Sequence, residues 1–440
     1  MLIIDQPRQF LYPARITNLP DVTVIGGGLA GLAATLHLAK AGLRVVCIEP
    51  RSGARQPVGE SLDWSTPGLL AGLGISPPDL LDPGFATWKR GVTLRLKDGS
   101  AKKYFPRDWL GRPPFNVELS TLHVDRAYLD QHLINLAAAQ GVVFSHDHAA
   151  SIERDGSRIL AVRTALGERL TSPWFIDASG YATSLLAREF GLESIAYGVR
   201  KVAIWTYFAV PASGEGTTIC IGPDAGDCVE WLWEIPITPS ITSVGFVATA
   251  DHIKERRKLG QTVEDILSQQ LSQSLRFAEL LAAGWTAVPR TVTFACRTYK
   301  DVAGLNWLIA GEAASLVDPI TSNGVTAALR HARDAAEIII AHQGRLELSP
   351  KARRLYSRRV AQLSTFFNCG IEKLVYDWPV RRRIGIQRAA RLYTVGAWVM
   401  NALYSRVRPR GTLATATFGG VLASLKAGAR CCHALCRWTR

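Results

Sequence analysis

Residues 21–32 read D-V-T-V-I-G-G-G-L-A-G-L, and an apolar run at 43–49, L-R-V-V-C-I-E, ends on Glu49. Residues 21–25 carry the β-branched pattern of a buried strand. Residues 29–41 have helical composition, and 43–49 read as a second strand. Together they make a β-Gly-α-β unit of about thirty residues. Gly26, Gly28 and Gly31 supply G-x-G-x-x-G between strand and helix, with Ala30 in the same turn. The first glycine permits the tight turn. The second lets the backbone approach a pyrophosphate, and the third lets helix and strand pack closely. The helix N-terminus stabilises phosphate charge. Glu49 stands where an acid would accept ribose hydroxyls. A dinucleotide cofactor is expected, and this motif alone does not separate FAD from NAD(P).

Outward from this unit, residues 124–139 predict an amphipathic helix leading into a strand at 142–145. Residues 150–176 read as strands joined by turns, with Asp155-Gly156 as a hairpin signal. Residues 202–250 are rich in Val, Ile, Thr and aromatics, which predicts an antiparallel sheet serving as a substrate platform. A helix is expected over 251–281, a buried strand at 307–310 and a helix over 325–343. The pattern implies an α/β fold. A Rossmann-type domain occupies 15–200 and 300–345. It is interrupted by a sheet-rich substrate domain at 201–299, with part of 85–120, and followed by a basic helical region at 346–440.

The net charge of +14 is unevenly placed. Residues 1–340 hold 32 Lys+Arg against 34 Asp+Glu, while residues 341–440 hold 19 against 3. The excess belongs to the last hundred residues, where Arg381-Arg382-Arg383 and Arg406, Arg408 and Arg410 alternate with apolar stretches at 392–404 and 412–425. Each stretch is shorter than the ~18–20 residues that span a bilayer. A basic amphipathic tail fits contact with a membrane surface or an acidic carrier protein. No nucleic-acid-binding motif accompanies it, and none is expected to act. Residues 1–20 lack a signal-peptide pattern. The eight cysteines are irregularly spaced, which predicts reduced thiols and a cytoplasmic chain, peripheral to the inner membrane face at most. Cys431-Cys432 and Cys436 match no standard zinc spacing, so no metal site is expected.

Further segments decide the cofactor. Val58-Gly59-Glu60-Ser61-Leu62 follows Glu49. His123-Val124-Asp125-Arg126 precedes Asp177-Ala178-Ser179-Gly180. Gly311-Glu312-Ala313-Ala314-Ser315-Leu316-Val317-Asp318-Pro319 runs into Ile320-Thr321-Ser322-Asn323-Gly324. Trp231-Leu232-Trp233-Glu234-Ile235-Pro236 is a W-x-W-x-I-P segment. Over roughly residues 20–345 the chain resembles FAD-dependent proteins of the monooxygenase (glutathione-reductase-like) fold, and within them the flavin-dependent halogenases. That resemblance implies FAD. It implies that Gly59, Glu60 and Ser61 lie against the flavin and that Arg126, Asp177 and Gly180 form a second FAD motif. It further implies that Gly311, Glu312, Asp318 and Pro319 meet the ribityl-phosphate region, with Glu312 in place of the family's aspartate. Asn323 and Gly324 open a helix whose N–H groups can stabilise halide or reduced flavin.

The same resemblance gives Trp231, Trp233, Ile235 and Pro236 a role in the substrate tunnel. Tryptophans at i and i+2 share one strand face and make a bulky apolar wall. Such a pair also suits an ordinary sheet core, and isoprenoid-lipid reductases of the superfamily carry a similar segment. Phe85-Ala86-Thr87-Trp88-Lys89-Arg90-Gly91 resembles the segment bearing the halogenases' catalytic lysine, which makes Lys89 the candidate. Its ammonium can donate a proton to hypohalous acid, or its neutral amine can attack the halogen. Tryptophan halogenases carry a glutamate in the segment matching 319–324, and position 321 is threonine here. A phenol, pyrrole or polyketide-derived aromatic, free or carrier-bound, is therefore expected before free tryptophan. Reduced FAD from a separate flavin reductase, with chloride or bromide as co-substrate, completes the expectation. Two other readings keep the FAD site: a monooxygenase or isoprenoid-lipid reductase, and a membrane-associated flavoprotein without turnover.

Overall fold

The computed structural model describes residues 19–372 and 376, apart from 52–56, 97–99, 109–111, 113–119, 182–183, 212–213 and 222–229. The basic and apolar stretches of 381–440, including Cys431, Cys432 and Cys436, lie outside the described residues. Five parallel strands form the sheet beneath the glycine turn. Their order is Trp307–Ile309, Trp174–Asp177, Val22–Ile25, Val45–Ile48 and Val143–Ser145. Val22–Ile25 is buried along its whole length, as a parallel strand covered on both faces must be. Helices Leu29–Lys40 and Gly324–Ala341 pack against each other. The second buries Val325, Ala328, Leu329, Ala332, Ala336 and Ile339, the spacing of one helix face. The sheet thus draws its strands from both ends of the described chain.

Helix starts follow local chemistry more closely than apolar pattern. The expected helix at 124–139 begins instead at Arg126, because Val124 ends a buried strand, Thr121–Val124. The Asp125 carboxylate accepts from the Ala127 and Tyr128 N–H groups and caps the helix there. The expected helix at 251–281 is three helices, Ala250–Lys258, Val263–Ser272 and Leu275–Ala282. Gly260, at φ +82°, turns the chain, and Thr262 with Asp265 forms a capping box for the second.

The larger sheet has eight strands. Their order is Ser315–Leu316, Arg290–Tyr299, Ser194–Phe208, Thr242–Thr249, Trp231–Pro236, Gly216–Ile221, Gly91–Leu96 and Ala101–Tyr104. It was expected to be antiparallel, and it carries one parallel pair, Gly216–Ile221 beside Gly91–Leu96. Its side chains alternate between two cores. Trp205, Tyr207, Trp231, Trp233, Ile235 and Val247 share one face. Ile204, Phe208, Leu232 and Phe246 pack on the other face, against Ile266, Leu271 and Phe277 of the three helices. Period-two alternation therefore sends both tryptophans of the W-x-W segment to the same side. Glu234 falls on the opposite face and is buried, and Arg276 binds it at 2.5 Å.

Candidate active site

The glycine turn explains itself in distances. A Cβ at Gly31 would lie 1.8 Å from the Gly26 carbonyl oxygen. A Cβ at Gly28 would meet nothing within 4 Å, because that side of the turn opens on a cavity. The cavity holds about 730 Å³, within the range of small-molecule sites. The glycine turn and its acid contribute Gly26, Gly28, Ala30, Glu49 and Arg51 to its lining. Gly59, Glu60, Arg126, Gly180 and Glu312 join them, as do Trp231, Trp233, Ile235, Pro319, Ser322 and Gly324. A space that brings an acid, bare backbone, a helix N-terminus and an aromatic wall together fits FAD. Gly28, Gly180 and Gly324 each present a backbone that no side chain covers.

Glu49 is buried and accepts from the Gly27 N–H at 2.6 Å. Burial pushes its carboxyl up, but hydrogen bonds from Arg51 and Gly27, with the Arg51 charge, outweigh this and hold it below the usual range. It is therefore an anion ready to accept hydroxyl donors. Arg126 is tied to Asp130 at 3.1 Å and donates to the Val58 and Gly59 carbonyls at 3.3 Å. It braces the G-E-S segment against the cavity. Glu60 accepts from the Tyr207 hydroxyl at 2.8 Å, and burial pushes its carboxyl up to about 7.

Five expected cofactor or halide residues do not line the cavity. Gly31 serves helix packing. Gly311, at φ +63°, turns the chain so that Glu312 reaches the cavity. The buried Asp177 carboxylate accepts from the Ser179 and Leu186 N–H groups at 3.0 and 2.8 Å. It holds the turn that presents Ala178, Ser179 and Gly180. Asp318 is buried beside Lys201 at 3.2 Å and accepts from the Tyr376 hydroxyl at 3.1 Å. Asn323 donates to the Thr321 carbonyl at 3.0 Å and precedes the helix that opens at Gly324. A buried carboxylate needs donors more than it needs a ligand, and local donors were available to both aspartates. Pro236 also stands outside the lining.

Lys89 is buried behind the cavity wall. Its Nζ donates to Ser61 Oγ at 2.8 Å and to the Leu62 carbonyl at 3.0 Å. Ser322 Oγ lies 3.5 Å away, and the Trp64 ring centroid 5.4 Å away. Burial pushes the ammonium down to about 8, with Asp63 acting in the other direction. Ser61 and Ser322, its two hydroxyl neighbours, both line the cavity. Ser322 is the one non-glycine residue with positive φ among the described residues, at +58°. Such strain is a mark of functional turns. Ser322, Thr217 and Trp64 were not foreseen. The first lay within a quoted segment, whereas Thr217 and Trp64 have no sequence signal of their own.

The described helices include none long and apolar enough to cross a membrane. A family model described as tryptophan halogenase matches residues 112–367, and one described as FAD binding domain matches residues 21–83. A tryptophan 2-halogenase of Chondromyces crocatus is 27% identical over 390 residues, covering 84% of this chain and 72% of that protein. A 1H-pyrrole-2-carbonyl-[peptidyl-carrier protein] chlorinase of Pseudomonas fluorescens is 29% identical over 352 residues, covering 73% of this chain and 75% of that protein. The solved structure of the flavin-dependent brominase Bmp2 superimposes with a TM-score of 0.73 at 20% identity. It covers 93% of this chain and 100% of that one, a likeness of fold.

Proposed function

The chain belongs to the tryptophan halogenase family and is an FAD-dependent halogenase with halide as co-substrate; from that premise we propose that it halogenates an electron-rich phenol or pyrrole, borne on a carrier protein, through Lys89. The observation that carries the reading is the seat of Lys89. A buried lysine with two N–H groups anchored can aim its remaining position at one place. Bound reduced FAD would supply the two electrons that, with O2 and halide, make hypohalous acid available in the site. Gly26, Gly28, Glu49 and Gly180 would hold its nucleotide end, and Glu60, Glu312, Pro319 and Gly324 its flavin end. The N-terminus of helix Gly324–Ala341 attracts halide. The wall of Trp231 and Trp233 keeps an aromatic substrate away from the flavin end.

The remaining step belongs to Lys89. Its ammonium donates to the oxygen of hypohalous acid. The substrate's π electrons form the new carbon–halogen bond as the oxygen–halogen bond breaks. The oxygen leaves as water with the proton from Lys89, and the ring proton is then lost to restore aromaticity. Thr321 in place of a glutamate favours substrates that need no carboxylate beside the attacked carbon. The carrier-bound choice is supported by the pyrrole-carrier chlorinase among the relatives. A separate flavin reductase is the proposed source of reduced FAD. The test supplies reduced FAD, O2 and bromide to the full chain with free tryptophan, a phenol and a carrier-loaded pyrrole. Products are read by mass. Brominated carrier-loaded pyrrole, with tryptophan unchanged, is expected; hydroxylated product alone overturns the proposal.

A further inference from the structure

Lys89 does not end the polar chain behind the cavity; it begins one. Lys89 Nζ lies 2.8 Å from Ser61 Oγ, and Ser61 Oγ lies 2.9 Å from Thr217 Oγ1. Thr217 Oγ1 lies 2.9 Å from His123 Nε2, and His123 Nδ1 lies 3.2 Å from Thr87 Oγ1. The Thr87 hydroxyl donates to the carbonyl of Pro236, the last residue of the W-x-W-x-I-P segment. Ser61, Lys89, His123 and Thr217 are all buried. Four buried polar side chains that only filled space would be costly, so their mutual bonding must be satisfied throughout.

The two ends fix the direction of the chain. A lysine can only donate and a proline carbonyl can only accept. Lys89 therefore donates to Ser61, Ser61 to Thr217, and Thr217 to His123 Nε2. His123 donates from Nδ1 to Thr87, which donates to Pro236. This order requires a neutral histidine carrying its hydrogen on Nδ1. Burial, then the charge of Lys89, push His123 well below its ordinary value, which agrees; the Pro236 carbonyl works in the other direction. Each hydroxyl that donates onward becomes a better acceptor for the group behind it.

We propose that His123, acting through Thr217 and Ser61, is a positioning residue for Lys89. The chain and the Leu62 carbonyl hold two of the three substituent positions on Nζ. The third points to Ser322, which lines the cavity. In the ammonium form that position carries an N–H that donates to the oxidant. In the amine form it carries the lone pair that attacks it. One geometry thus serves either chemistry, and it also ties Lys89 to the strand of Trp231 and Trp233. This inference rests on the reading of Lys89 given above.

The test measures halogenated product per reduced FAD oxidised, as a function of pH, with leaked hypohalous acid trapped by a free thiol. The titratable groups facing the chain are Lys89, Asp63 and His123. Glu60 adjoins Ser61, and burial pushes its carboxyl up to about 7, so Glu60→Gln run in parallel separates its share of the limb from that of Lys89. His123→Leu removes the acceptor at the chain's far end. It should lower the product ratio by about a hundredfold, the scale of an ångström's misplacement, and raise the leak. It should also move the alkaline limb to lower pH, because Ser61 then stabilises the ammonium less. His123→Gln restores an acceptor beside Thr217 and should recover much of the ratio. Thr217→Val removes one hydroxyl at constant shape and should repeat the His123→Leu result even if that variant folds poorly. An unchanged limb and ratio in Thr217→Val would overturn the inference. Lys89→Ala run in parallel separates the two claims. Halogenation surviving in Lys89→Ala sinks the lysine reading itself, whereas its loss there with normal Thr217→Val sinks only the role of the chain.

Discussion

Two buried acids that line the cavity behave oppositely, and the difference is their company. Glu49 has Arg51 and the Gly27 N–H and stays an anion. Glu60 has burial first, with hydroxyl donors only partly offsetting it, and its carboxyl rises from 4.5 to about 7. For Glu60 the folded value lies above the unfolded one. Its contribution to stability is therefore complete below pH 4.5 and is lost as pH rises through 7. Glu60→Gln keeps an acceptor for Tyr207 and removes the charge. In urea titrations it should match the parent at about pH 4 and exceed it at pH 8 by about 3 kcal/mol, from the size of the shift. Equal stability at both pH values would show that Glu60 is not strained by burial. Glu49→Ala should weaken FAD binding by about tenfold to a hundredfold, the worth of hydrogen bonds to a charged acceptor. Fluorescence titration of FAD checks it, and unchanged affinity would remove Glu49 from the site.

At the scale of elements, what is local in sequence was legible and what is assembled across distance was not. The turn from Gly26 to Gly31 could be read because strand, glycines, helix and acid are contiguous. Gly31 tolerates no side chain at 1.8 Å from a carbonyl, so Gly31→Val should abolish FAD binding and lower the melting temperature. A variant that still binds FAD would mean that the helix can withdraw from the strand. The parallel pair of Gly216–Ile221 with Gly91–Leu96 was not legible, since pairing depends on where the chain returns. The same holds for Ser61 and Thr217, 156 residues apart, and for His123 and Thr217, 94 apart. Lys89 was singled out only through resemblance, and its burial was not legible, because a lysine beside an arginine ordinarily reads as surface. Asp177 and Asp318 were read as cofactor residues, and the structure shows both with local donors instead of in the cavity lining, because sequence shows a carboxylate without showing its neighbours. On the sheet's far face, Arg276 is what makes the buried Glu234 tolerable. Arg276→Met should destabilise the chain by about 2 kcal/mol, the scale of losing hydrogen bonds from one charged donor. FAD affinity should stay as it was, since strand Trp231–Pro236 turns Glu234 away from the cavity.

Over the whole molecule, charge divides more sharply than fold. Residues 1–340 are nearly neutral, at 32 basic against 34 acidic, whereas residues 341–440 carry 19 against 3. Helix Pro350–Ile371 belongs to the second group yet is bound into the core. Tyr356 is buried, and its hydroxyl donates to the Ile309 carbonyl of the parallel sheet at 2.9 Å. Beyond it, Glu372 and Tyr376 reach Lys201 and Asp318 under the tryptophan wall. The basic region is therefore anchored beside the site at its start, and its remaining cations lie in residues 373–440. If those cations serve an anionic surface, binding must weaken with salt, because exposed charges are screened beyond about 8 Å at physiological ionic strength. The full chain should sediment with vesicles containing phosphatidylserine at low salt, and be released by about 0.5 M salt. It should ignore neutral phosphatidylcholine vesicles at every salt concentration. Replacing Arg381, Arg382 and Arg383 by glutamine should lower the vesicle-bound fraction, with FAD affinity measured in parallel and unchanged. Binding indifferent to salt would make the attraction apolar, and absence of binding at low salt would overturn the membrane-surface role of these cations.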